Sequence, residues 1–205
     1  MVTRASPVSV LVEGITDEVV VRRLLAYVGL PCGIVYGKQG KSYVLRQLMA
    51  YNRAAQFAPW LVVVDLDQDA ECAPAFVRET LPSPSQGMQL RIAVRAIESW
   101  LLADRERIAA YLGIPIVRIP ANPDVEPDPK EVLIDLARQS RRRALREDIV
   151  PRAESGARVG PGYVGRIIEF LTGSAQPWRP EVAAQHSDSL RRCVEALHQW
   201  HATQT

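Results

Sequence analysis

A chain of 205 residues, 47% apolar and 23% charged, has the composition of a globular protein with room for one domain and an appended subdomain. Its formal net charge of +2 is too mild to mark a nucleic-acid binder by itself, and no apolar run is long enough to span a bilayer. Cys32, Cys72 and Cys193 lie far apart, with neither zinc-type spacing nor an even count, so they read as reduced thiols of a cytoplasmic protein.

Residues 1–7 are short and polar and predict no signal peptide. The β-branched run 8–12 predicts a first strand, ending at Glu13. Thr16, Asp17 and Glu18 open a helix whose apolar stripe, Val20, Leu24 and Val28, runs to Gly29 and Pro31. A short strand follows at 34–36, then the loop Gly37-Lys38-Gln39-Gly40-Lys41-Ser42. Ser42 is placed to cap a helix running to about Gln56, with Val44, Leu45, Leu48 and Met49 inward. A third strand at 61–65 ends in Asp65, Asp67 and Asp69. A helix at 74–80 and a Pro/Ser/Gly linker at 81–87 lead to a fourth strand at 89–94. The order β-α-β-α-β-α-β predicts a parallel sheet with helices on both faces.

Beyond the fourth strand the pattern turns helical, at 96–102, 104–112, 131–146, 163–171, 180–186 and 189–200. Five prolines (115, 120, 123, 127, 129) make 115–129 a loop or extended arm, and 155–162 is a glycine-rich loop. The expected organisation is therefore a domain at 1–105 and a helical subdomain at 106–205 for substrate or partner binding.

Two apolar strands that end abruptly in acids deliver carboxylates to one rim, because chemistry in open α/β sheets gathers beyond the strands' carboxyl ends. A period of two places Asp65 and Asp67 on one face with Leu66 turned to the core. Mg²⁺ takes hard oxygen ligands and keeps several waters, so one to three converging carboxylates suffice. Asp17, one turn beyond Glu13, is a candidate for a second ion, and Glu98 beyond the fourth strand could complete that second site. Lys38 and Lys41 are placed to neutralise a phosphate.

Glu13-Gly14-x-x-Asp17 after the first strand with Asp65-Leu66-Asp67 after the third, roughly fifty residues apart, resembles the signature of the Toprim fold. The loop GKQGKS, the segment RAIESWLLAD (95–104), GPGY (160–163) and SDSLRR (187–192) are similar to a compact bacterial branch of it. That branch resembles the Toprim nuclease part of overcoming-lysogenization-defect (OLD) nucleases. The resemblance implies a Toprim-like (Rossmann-like) fold and hydrolysis of DNA or RNA phosphodiesters. It also implies a phage-defence role with a separately encoded ABC-type ATPase. Gly37 and Gly40 lack Walker A spacing, which leaves ATP hydrolysis to that partner. Within it Glu13 and Lys41 would be catalytic, and Glu13, Asp17, Asp65, Asp67, Asp69 and Glu98 would hold Mg²⁺, or Mn²⁺ or Ca²⁺ in its place. Lys38, Lys41, Arg141, Arg142 and Arg143 would meet the nucleic acid. A membrane is not expected as a partner, and self-association into a homo-oligomer is left open.

Plainer readings stand beside these. Asp67-Gln68-Asp69 is also a turn, Asp17 a helix-opening acid, Glu98 a partner for an arginine, and the arginine block a solvated helix face. His198 and His201 lack a third ligand nearby in sequence. Two rival functions remain: a non-catalytic Toprim adaptor docking an ATPase, and a nucleotide-binding α/β protein. The second would need a phosphate-gripping glycine loop after the first strand, which Glu13-Gly14-Ile15 does not supply.

Overall fold

The four apolar runs pair as one all-parallel sheet in the order β2-β1-β3-β4. The structure, a computed structural model, describes residues 6–173 and 176–204; the expectation for 1–7 falls, up to residue 5, outside them. The strands are β1 (Val8–Val12), β2 (Cys32–Gly37), β3 (Trp60–Asp65) and β4 (Met88–Ala93). The crossovers are α1 (Ile15–Val28), α2 (Lys41–Ala54) and α3 (Ala73–Thr80).

Strand periodicity sorts the side chains onto two faces. Leu11, Val62, Val64, Met88, Leu90 and Ile92 pack with Val44 and Leu48 of α2 and Phe76 of α3. Each such fully buried side chain contributes ~1.5–3 kcal/mol of transfer free energy. Arg91 alternates with Leu90 and Ile92, so it faces the other side. There it lies near Cys193 of the terminal helix, α10 (Asp188–Gln204), whose thiol burial pushes up to about 12. The parallel α/β architecture is as the sequence predicts.

The chain divides into two compact units, 1–94 with 189–205, and 95–188. The division therefore falls eleven residues before the expected boundary, and the last helix returns to the sheet unit rather than ending the helical part. The second unit holds α4 (Ile97–Ala103), α5 (Arg105–Leu112), α6 (Pro129–Arg138), α7 (Arg143–Ile149), α8 (Tyr163–Thr172) and α9 (Pro180–Ala183). The proline-rich arm contains two short 3₁₀ turns, Ile116–Arg118 and Pro123–Val125. Trp100 and Trp178 are fully buried, and Trp178 Nε1 donates to the Trp100 carbonyl at 3.1 Å.

Two local expectations are corrected. The helix predicted over 131–146 is two, α6 and α7. Ser140 Oγ accepts from Arg142 N at 3.1 Å and donates to the Leu112 carbonyl at 2.5 Å, offering the backbone an alternative to helix. The helix assigned a Ser42 cap starts two residues earlier, at Lys41 behind Gly40 at φ 80° with no side-chain cap. As expected, Asp17 and Glu18 fall in the first turn of α1, which starts behind extended Gly14. No helix among the described residues is long and apolar enough to cross a membrane.

Candidate functional site

In the sheet unit, α1 carries the chain from β1 to β2 on one side while β3 lies on the other. The strand order thus reverses between β1 and β3, the place where such sheets open a crevice. Glu13 is the first residue past β1 and Asp65 the last of β3. The Asp65 N–H donates to Glu13 Oε1 at 2.9 Å, fixing the carboxyl between the two strands. Burial pushes the Glu13 carboxyl up to about 7. The Asp65 N–H opposes that rise, Asp17 adds to it, Lys41 counters it and Asp67 adds again. A carboxyl that exchanges its proton near neutrality is what general acid–base chemistry requires.

Asp17 is 6% exposed and folds back over Gly14: a Cβ at Gly14 would stand 3.0 Å from Asp17 Oδ2. The glycine after the glutamate therefore leaves room for the second acid. On the other flank, the loop after β2 is clipped to the end of β1. Lys38 N donates to the Val12 carbonyl and Gly40 N to the Glu13 carbonyl, both at 2.9 Å. Gly37 sits at φ 91°, and a Cβ there would overlap the Val12 carbonyl oxygen, so only glycine fits the clip.

That clip delivers Lys41 to the rim as the first residue of α2. Its Nζ lies 3.0 Å from Asp67 Oδ2 and 2.7 Å from Asp69 Oδ2, and donates to the Leu66 carbonyl at 3.2 Å. It also stands 5.3 Å above the Phe76 ring, a partner the sequence did not single out. Burial alone would lower the Lys41 pKa, but hydrogen bonds to Asp69 and Asp67 raise it, so the side chain stays ammonium. Asp67 does not continue the strand's alternation: it has φ 50° in a turn closed by Asp69 N to the Leu66 carbonyl. Leu66 itself is buried in the core, as expected.

Glu13, Asp17, Asp65, Asp67, Asp69 and Lys41 are thus gathered in one unit. Among the described residues, no three His, Cys, Asp or Glu side chains are grouped so as to hold a metal ion as they stand. Hard carboxylate oxygens are the donors Mg²⁺ takes, and Glu13 feels both Asp17 and Asp67, but the Lys41 ammonium occupies the Asp67–Asp69 side. Lys38 is committed elsewhere, with Nζ 2.9 Å from Glu18 Oε2. Burial would raise the Glu18 carboxyl, yet hydrogen bonds from Lys38 and Arg22 hold it below the usual range.

The remaining predicted residues belong to the helical unit. Glu98, in the first turn of α4, is 1% exposed; its Oε1 accepts from Tyr163 Oη at 2.8 Å and lies 3.3 Å from Lys130 Nζ. Its cationic partner is therefore a lysine rather than the expected arginine. Arg141, Arg142 and Arg143 are exposed, and Arg143 pairs with Glu147 at 2.7 Å. In comparisons with known proteins, no family model, no curated protein and no solved structure matches the chain.

Proposed function

We propose that the sheet unit is a Toprim-type, Mg²⁺-dependent endonuclease centre that hydrolyses nucleic-acid phosphodiesters. The observation that carries this reading is the Glu13 carboxyl at the β1–β3 rim, held by the Asp65 N–H and raised to about 7 within the field of Asp17, Lys41 and Asp67. Glu13 takes the proton of the attacking water or returns one to the leaving oxygen. Lys41 releases Asp67 and turns its ammonium to the substrate phosphate, neutralising charge as it develops. When bound to oxygens of Glu13, Asp17, Asp65 and Asp67, Mg²⁺ would supply an acidified water and charge stabilisation. The resemblance adds a cytoplasmic phage-defence setting and a separately encoded ABC-type ATPase as partner.

The experiment is plasmid and single-strand cleavage with Mg²⁺ or Mn²⁺, comparing wild type, Glu13→Ala and the Asp65→Ala/Asp67→Ala pair. Cleavage by wild type alone is expected. Equal cleavage by the variants rejects these roles.

The Lys41 ion pairs favour a second reading, in which the rim stays closed and the chain is a non-catalytic adaptor for the ATPase. Co-purification with an ATPase and no cleavage under either metal would select it.

A further inference from the structure

The 138–152 segment holds six arginines (138, 141, 142, 143, 146, 152) against Glu147 and Asp148. The fold sorts this block rather than leaving it as one face. Arg138, Arg146 and Arg152 line an open cavity of about 670 Å³ within the helical unit, together with Glu147, Asp148 and Pro161. Both acids are already neutralised from elsewhere: Glu147 by Arg143 at 2.7 Å, and Asp148 by Arg166 Nε at 2.8 Å. Arg146 is held by the Ser140 carbonyl, and Arg138 by Asp135 and Glu131. Arg152 has no side-chain acceptor among the described residues and is exposed.

The glycine-rich motif at 160–162 builds one wall. Gly160 N donates to the Ile149 carbonyl and Gly162 N to the Asp148 carbonyl, both at 2.9 Å. A Cβ on Gly160 would overlap the Asp148 carbonyl oxygen, and one on Gly162 would stand 2.6 Å from Asp148 Cβ. The two glycines thus let the Pro161 turn close onto the end of α7. Pro161, Val150 and Pro151 add apolar lining to the cavity's guanidinium groups.

We propose that this cavity binds a phosphomonoester carried on a nucleoside: either a free nucleotide or the phosphorylated end of a nucleic-acid strand. Planar guanidinium groups match phosphate oxygens in pairs, and Arg152 supplies an uncommitted fork. The volume lies within the ~300–1,000 Å³ range of small-ligand sites, large enough for a nucleotide rather than a bare ion. The site is independent of the acidic rim and needs neither Glu13 nor a metal.

The test is calorimetric titration of the intact chain, without divalent metal, using AMP, adenosine, inorganic phosphate and an oligonucleotide with or without a 5′-phosphate. AMP should bind, adenosine should not, and affinity should fall with salt. Arg152→Glu should weaken AMP about tenfold or more while leaving the circular dichroism spectrum unchanged. Arg138→Gln gives a second, independent loss, and Glu13→Gln should bind as wild type. Preference for the 5′-phosphorylated oligonucleotide over AMP identifies a strand end as the source, and the reverse identifies a free nucleotide. Equal binding of AMP and adenosine, no binding of AMP, or an unchanged affinity in Arg152→Glu overturns the proposal.

Discussion

Glu13 and Asp65, fifty-two residues apart in sequence, meet through one hydrogen bond: the Asp65 N–H donates to Glu13 Oε1 at 2.9 Å. A side chain from the end of one strand thereby caps the neighbouring strand at the point where the sheet reverses its order. The carboxyl is held in place without being neutralised by an arginine, and burial raises it to about 7.

That shift makes stability depend on pH. A folded-state carboxyl raised from 4.5 to about 7 binds its proton more tightly than in the unfolded chain. Its contribution is therefore full below pH 4.5 and is lost as pH rises through 7. Glu13→Gln keeps an acceptor for the Asp65 N–H and has no such loss. Between acid and pH 8, wild type should lose about 1–2 kcal/mol relative to Glu13→Gln, discounted because the carboxyl is partly solvated. Urea denaturation of both proteins across this range measures it, and a constant difference at all pH values contradicts it.

Lys41→Met removes the ammonium from Asp67 and Asp69. Both acids are about half exposed, at 54% and 50% of the side chain, so folding stability should change by only ~0–1 kcal/mol. Mn²⁺ affinity should instead rise about tenfold, as one competing charge near 4 Å is removed. Cleavage should fall. Unchanged Mn²⁺ affinity, read by electron paramagnetic resonance titration, would show that Lys41 does not compete for the rim.

Gly37→Ala tests the clip that delivers Lys41. With φ at 91° and the Val12 carbonyl in the path of a Cβ, the variant should lose about 2–4 kcal/mol of stability. Gly156→Ala, also at positive φ but facing open space, is the control and should lose less. Similar losses at both positions would mean that backbone conformation alone matters.

In the helical unit, Asp104 has no exposed side-chain surface. It accepts from Arg179 N at 2.9 Å, Arg179 Nε at 3.0 Å and an Arg179 terminal nitrogen at 2.7 Å. Asp104→Ala takes three hydrogen bonds from Arg179 and leaves it only Glu106, at 2.8 Å, so the variant should cost about 3–5 kcal/mol in thermal or urea unfolding. A loss below 1 kcal/mol would mean that the carboxylate is solvated in solution.

The sheet was legible because its two central strands, β1 and β3, are almost wholly buried and read as unbroken apolar, β-branched runs ending in acids. Glu13, Asp65 and Asp67 were legible as acids stranded at the ends of such runs. What could not be read was where each long side chain goes. Lys41 looked like a free phosphate ligand, yet it closes on Asp67 and Asp69, because only the folded turn at positive φ brings those acids to it. The split of 131–146 turned on Ser140 bonding to Leu112, twenty-eight residues away, which no local periodicity records. The return of α10 to the sheet unit is likewise a long-range outcome; its helical pattern predicted the element but not its neighbours.

The most direct measurement is a crystal of the protein soaked in Mn²⁺ and read by anomalous scattering. The account predicts a peak at the β1–β3 rim within coordination distance of Glu13, Asp65 or Asp67 oxygens, with Lys41 turned away from Asp67. A rim without a peak at saturating Mn²⁺, with the Lys41–Asp67 pair intact, would contradict it.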